Sequence, residues 1–364
     1  MDGAAWNPVS RWHERRAPFI RLVAEDGSVG IGEGWSDQGK IAAFFDHLQQ
    51  VSGWLLQQRC DDIDPIHATM FSSPSRLPWV APAVGSAIDI ALWDLRARRR
   101  VTPLHRLLGS TTGVVEVYAS GGLYADGKFL NDLAAEMHGY AAEGFTAVKM
   151  KIGALPMADD LARVSVVRDA IGSGHRLMVD AVGQLSRATA PAWIDGLARL
   201  GVHAIQAPLP EGDIDGMAAL QARGPLTVVA QEREHDPMVF RALIEQQAVG
   251  MLQFNPGLAG GVTGARALTA MANAAAIPVT LQCYSTAVMQ AACWHIGAAL
   301  PGVQSVENHQ FHDSLNQALQ PEMAIVREGQ LRLGDQPGLG IDPALFDGSV
   351  PGPGTLERVF ASSN

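Results

Sequence analysis

FTAVKMKIG (residues 145–153) is a short apolar run that ends in two lysines and a glycine. Its length suits a buried strand, and the amphipathic stretch MADDLARVSVVRDAIG that follows suits a helix. The unit then repeats: HRLMVDAVG (175–183) has the same shape and ends in an aspartate. Outward from this pair the rhythm continues at about 25-residue intervals. VVEVYAS (114–120) precedes it; VHAIQAP (202–208), LTVVAQE (226–232), VGMLQFN (249–255), IPVTLQ (277–282) and VQSVE (303–307) follow, with helical patterns such as DPMVFRALIEQQAVG between them. Eight strands alternating with helices over roughly 200 residues predict an α/β fold, the (β/α)8 TIM-type barrel. A doubly wound open sheet would have fewer strands and a glycine-rich phosphate loop after the first; that fingerprint is absent.

The segments outside the rhythm read differently. PFIRLVAEDGSVGIGEGW (18–35) alternates around Asp26-Gly27, a hairpin signal. Its Gly30, Gly32 and Gly34 open no helix, so they read as a glycine-rich strand and not as a dinucleotide site. Helices are expected around 39–56 and 80–98. No clear strand is visible before residue 17. The Gly- and Pro-rich tail is expected to pack back on the N-terminal region. The predicted organisation is an α+β capping domain (1–112), the barrel (113–325) and the returning tail (326–364).

Bulk properties exclude some classes. The 364 residues carry a formal net charge of −10, against a nucleic-acid partner. No apolar run suits a membrane span, and the N-terminus shows no signal-peptide core. The three cysteines, Cys60, Cys283 and Cys293, form no framework spacing, which fits a reducing, cytoplasmic compartment.

In such barrels chemistry sits at the C-terminal strand ends. Read in order, those ends carry Lys149 and Lys151, then Asp180, Gln206, Glu232, Asn255, Gln282 and Glu307. Two lysines spaced by two share one face of a strand and require anionic compensation when buried. Asp180 and Glu232, with an amide between them, offer oxygen ligands of the kind Mg2+ takes.

These stretches resemble the enolase superfamily, in its mandelate racemase and muconate lactonizing branch. DGSVGIGEGW, SAIDIALWDL, PLHRLLGS, AVKMKIG, LMVDAVGQ, AGGVTGA and SVEN occur in the family's order. The resemblance implies a capping domain built from both termini, a small-molecule carboxylate substrate, and one Mg2+ that binds this carboxylate and stabilises an enediolate after proton abstraction. It implies that Lys151 is the catalytic base and Lys149 the neighbour that lowers its pKa. Asp180 and Glu232 then match the first and third metal ligands, and Glu307 an acid that binds the substrate carboxylate.

Three positions depart from the pattern. Gln206 replaces the second metal carboxylate. Asn255 and Gln282 replace the Asp–His dyad that forms the second acid/base of the racemase group. Amides hydrogen-bond but do not titrate in the working range, so Asn255 and Gln282 read as substrate-binding groups and the Mg2+ site as weakened or lost. Glu211 and Glu234 are candidates for a replacement charge; Tyr284, His309 and His312 are candidates for a second base. One retained base favours a dehydratase acting on a hydroxy-carboxylate such as an acid sugar. A racemase or epimerase with a different second base, and a non-catalytic carboxylate-binding relative, are the alternatives. Trp6, Trp12, His13, Trp35 and Trp79 are expected as pocket-lining or core groups, and a homo-oligomer is expected for a barrel of this kind.

Overall fold

The computed structural model describes residues 5–13, 16–35, 40–71, 80–312, 316, 319 and 325–347. Eight parallel strands form the barrel: β5 (Val114–Ser120), β6 (Ala147–Lys151), β7 (Arg176–Asp180), β8 (Val202–Gln206), β9 (Thr227–Val229), β10 (Leu252–Phe254), β11 (Val279–Leu281) and β12 (Val303–His309). Their spatial order follows the chain, with β12 beside β5. A parallel bridge between Val229 and Met251 brings β9 and β10 together and closes the ring. Seven of the runs identified in the sequence each contain one of these strands, although β9, β10 and β11 shrink to three residues each, and β12 runs two residues past the eighth run.

The crossovers are helical. α5 (Leu130–Ala142), α6 (Met157–Ile171), α7 (Ala190–Arg199), α8 (Ile214–Arg223), α9 (Pro237–Glu245), α10 (Gly261–Ala274) and α11 (Ala287–Ala299) follow their strands in turn. They are numbered after the capping helices α1 (Ile41–Leu55), α2 (Ile63–Phe71), α3 (Val80–Arg99) and the short α4 (Leu104–Leu107). Asp213, Asp236 and Thr286 accept backbone N–H bonds at the starts of α8, α9 and α11, satisfying donors that a helix start leaves open.

The capping region contributes two hairpins. β1 (Ala5–Trp6) pairs with β2 (Arg11–Trp12), and β3 (Phe19–Val23) with β4 (Val29–Glu33). The glycines of β4 are structural, as expected. A Cβ on Gly30 or Gly32 would come within 2.1 Å of the Ala91 carbonyl or 2.0 Å of the Ala87 carbonyl, both on α3. Only glycine lets this strand lie so close to the helix.

Buried carboxylates tie these parts together. Asp94 of α3 accepts from the Ile31 amide (2.9 Å), the Leu339 amide (2.7 Å) and Arg98 (2.8 Å). One side chain thereby joins the hairpin, the helix and the returning tail. The tail also adds β13 (Gln330–Arg332), antiparallel to the first half of β5. Glu33, at the end of β4, is fully buried at the start of α11. It accepts from Ser285 Oγ, Thr286 Oγ1 (2.6 Å) and the Met289 amide (3.0 Å). A carboxylate on a helix N-terminus is favourable, and this one fixes the cap beside the mouth-side end of β11. Among the described residues no helix is long and apolar enough to cross a membrane.

Candidate active site

β6 places Lys149 and Lys151 on one face, and strand register then sets their neighbours. Lys151 lies level with Asp180, Asp180 with Gln206, and Gln206 with Val229. Glu232 comes three residues beyond the end of β9 and reaches back to the group. Asn255 and Gln282 each follow their strands by one residue, and Glu307 lies within β12. The structure therefore brings all eight side chains to one end of the barrel.

Lys149 is enclosed, with 3% of its side chain exposed, whereas Lys151 keeps 12%. The Lys149 ammonium donates to Glu307 Oε1 and to Gln206 Oε1, each at 2.7 Å, and lies 3.9 Å from Asp180 Oδ2. Burial alone would lower its pKa; the carboxylates of Glu307, Asp180 and Glu232 outweigh burial and hold it above the ordinary lysine value. Lys149 is thus a fixed cation. Lys151 donates to the same Asp180 oxygen, while Asp180 Oδ1 accepts from the Val182 amide at 2.9 Å.

The amide groups are oriented by their partners. Gln206 turns its oxygen to Lys149, so its nitrogen faces and donates to Glu232 Oε2 at 2.9 Å. Across the mouth, the Gly257 amide donates to Asn255 Oδ1 at 2.7 Å. Asn255 must then present its nitrogen, which donates to Gln282 Oε1 at 2.6 Å. That chain of bonds leaves the Gln282 amide nitrogen as its remaining hydrogen-bonding group. Glu307 completes the ring by accepting from the Cys283 amide at 3.0 Å through Oε2.

The other candidates have local tasks. Glu234 Oε1 accepts from the amides of His235 (2.7 Å) and Asp236 (2.8 Å). Glu211 is exposed on the loop after β8; partial desolvation and repulsion from Glu232 and Glu234 raise its pKa against the pull of Arg233. Tyr284 packs between Trp12 (ring centroids 5.6 Å) and His309 (4.7 Å), and His309 Nδ1 accepts from the Phe311 amide at 3.1 Å. Trp12 and Trp35 are buried, Trp6 is half-buried and His13 is exposed. Trp79 and the side chain of His312 lie outside the described residues.

The chain matches two family models in sequence order. Residues 8–109 match the mandelate racemase / muconate lactonizing enzyme N-terminal domain, and residues 132–346 the enolase C-terminal domain-like family. The chain belongs to the enolase superfamily. Its relatives include the D-galactarolactone cycloisomerase of Agrobacterium fabrum, 28% identical over 94% of both chains. A racemase from Streptomyces coelicolor A3(2), solved with bound magnesium, superposes with a TM-score of 0.81 at 28% identity, over 89% of this chain and 88% of that one. The L-talarate/galactarate dehydratase of Salmonella typhimurium LT2 superposes with a TM-score of 0.80 at 26% identity, over 89% of this chain and 80% of that one. A mutant of that dehydratase has been solved with Mg and L-glucarate. Membership places this chain among the superfamily's lyases and isomerases.

Proposed function

We propose that this chain is a lyase that dehydrates a hydroxy-carboxylate of the acid-sugar type, with Lys151 as its base. The carrying observation is the asymmetry of the site. An amine that reaches the mouth stands on one side, and a hydrogen-bonded amide pair, Asn255 and Gln282, stands on the other. Racemisation by two bases requires a titrating group on each face of the carbanion. Elimination requires only one. Lys151 Nζ takes the proton next to the carboxylate, the β-hydroxyl departs with the C–O electron pair, and the same ammonium returns the proton to it as water. The enol product then tautomerises to a 2-keto acid. The Gln282 nitrogen suits a substrate hydroxyl oxygen, and Glu307 is the acid that would bind the substrate carboxylate.

Asp180, Gln206 and Glu232 would hold the divalent cation of this superfamily. Their donor atoms fit a hard cation in kind. Asp180, Glu232 and Glu307 outnumber Lys149 and Lys151 by one charge, which also favours a cation. The fit is weakened by Gln206, whose oxygen already serves Lys149 and whose nitrogen faces Glu232. When bound, the cation would supply Lewis-acid polarisation of a substrate carboxylate.

A panel of aldonates and aldarates, read for 2-keto acid, tests the reading. At least one should yield 2-keto acid, and proton exchange at the α-carbon in deuterated solvent should proceed without inversion. Exchange with inversion would establish epimerisation instead. Carboxylates that raise the melting temperature without turnover across the panel would establish the binding-only reading. Restoring the dyad with Asn255→Asp and Gln282→His is expected to add exchange with inversion on a compound that the parent chain only dehydrates; chiral chromatography of recovered substrate reads it.

A further inference from the structure

Lys151 is held by its backbone as well as by Asp180. Its carbonyl accepts from Arg163 Nη1 of α6 at 2.9 Å. Arg163 is buried, and its other bonds go to Asp160 Oδ1 (2.7 Å) and the Gly122 carbonyl (2.9 Å). Asp160 accepts in turn from the Gly153 amide at 2.7 Å, two residues beyond Lys151. A buried guanidinium therefore grips the chain on which the amine stands.

The guanidinium is linked to the cap through Tyr124, in the loop between β5 and α5. Arg163 stacks on the ring of Tyr124, with its guanidinium carbon 3.8 Å from the centroid. Tyr124 also donates to Asp160 Oδ1 at 2.7 Å. On the far face of this arrangement Trp6 of β1 stacks on Tyr124, with centroids 4.5 Å apart and planes 19° apart. The backbones of Trp6 and Tyr124 exchange N–H···O bonds of 2.8 and 3.0 Å. Arg11 of β2 lies 5.5 Å from the Trp6 ring and pairs with Asp126 at 2.7 Å. A continuous stack, Arg11–Trp6–Tyr124–Arg163, thus runs from the capping hairpin to the Lys151 carbonyl. Cation–π pairs and a buried charge-assisted bond both depend steeply on geometry.

We propose that Tyr124 and Arg163 are positioning residues that make the placement of Lys151 depend on seating of the β1–β2 hairpin. The proposal rests on reading Lys151 as the base only for its effect on turnover; the mechanical coupling stands on the contacts alone. With Trp6 seated, Tyr124 is pinned from both faces and Arg163 holds the carbonyl. With Trp6 removed, Tyr124 and Arg163 regain freedom, and a misplacement of about 1 Å at the base costs up to about 100-fold in rate.

The test exploits the chain's four lysines, Lys40, Lys128, Lys149 and Lys151. Carbonyl-13C lysine with 15N isoleucine labels only the Lys40–Ile41 and Lys151–Ile152 peptide bonds. In the full chain, Trp6→Ala and Tyr124→Phe are expected to move or broaden the Lys151 carbonyl signal and leave that of Lys40 in place. Trp12→Ala, which loosens the same hairpin where Trp12 packs with Ala5 and Leu123, is expected to move the Lys151 signal too. On any acid sugar turned over, Trp6→Ala should lower kcat by at least 10-fold with KM held within about twofold. Trp6→Ala is the milder variant for folding because Trp6 is only half-buried. An unmoved Lys151 carbonyl in both Trp6→Ala and Tyr124→Phe overturns the relay, whatever Lys151→Ala does to activity. Failure of the base reading shows separately, as full turnover by Lys151→Ala.

Discussion

Lys151→Ala is expected to lower dehydration of any acid sugar this chain accepts by about 100- to 10,000-fold, the range general-base catalysis commonly contributes. The size of the loss follows from where the two lysines stand. Lys149 cannot replace the missing base. It is sealed in the floor of the site, and Glu307, Gln206 and Asp180 hold it as a cation. Lys151 has one carboxylate partner and reaches the mouth. The variant should keep its fold, because removing a partly solvated amine leaves Asp180 with Lys149 and the Val182 amide. Circular dichroism and a melting curve check the fold; initial rates of 2-keto acid formation check the loss. Turnover within about twofold of the parent would show that the proton leaves by another route. Lys149→Ala should behave in the opposite manner. It strands buried Glu307 and the Gln206 carbonyl, a loss expected to appear first as stability, on the order of 3–5 kcal/mol.

The barrel is legible in the sequence because its evidence is periodic. Eight apolar runs in one rhythm predict eight strands, and each strand's last residues then fall at the mouth without any tertiary knowledge. Lys151, Asp180 and Gln206 end their strands, Asn255 and Gln282 follow theirs by one residue, and Lys149 and Glu307 stand two residues before the ends of theirs. Glu232 lies three residues past β9, so strand position alone places it loosely, and it joins the group only because Gln206 donates to it. The β1–β2 hairpin is invisible in the sequence for a physical reason: strands of two residues have no alternation to detect. The Tyr124–Arg163 stack joins residues far apart in the chain and likewise has no local signal. Composition carries a further cue. Only four of the 27 basic residues are lysines, and two of those four stand at this site. Among the described residues arginine makes the ion pairs outside the site apart from that of Lys128 with Glu136, while the side chain better able to release a proton is concentrated where proton transfer is proposed.

What no sequence pattern could fix is the direction of the amides, because an amide points according to its partners. That direction leads to the second large prediction. Gln206→Glu is expected to tighten Mg2+ binding about 10- to 100-fold, roughly 1.4–2.8 kcal/mol. In the parent chain the cation would have to draw the Gln206 oxygen from Lys149 while the amide nitrogen faces Glu232 at 2.9 Å. A carboxylate has two oxygens: one can stay on Lys149 while the other turns to the cation. It also adds a full negative charge, worth several kcal/mol per unit of opposing charge at about 4 Å in a protein-like dielectric, of which desolvation offsets a large share. The same charge makes a distinct prediction for the metal-free state. The introduced carboxylate would face Glu232 with no donor between them, so the variant should melt below the parent in chelator and rise more steeply with added Mg2+. Isothermal titration of both proteins gives the affinities, and melting curves across a Mg2+ series give the linkage. Equal or tighter binding by the parent would show that Gln206 is no handicap to the cation. A variant that melts no lower than the parent in chelator would show that the amide bridge between Lys149 and Glu232 is not what stabilises the metal-free site.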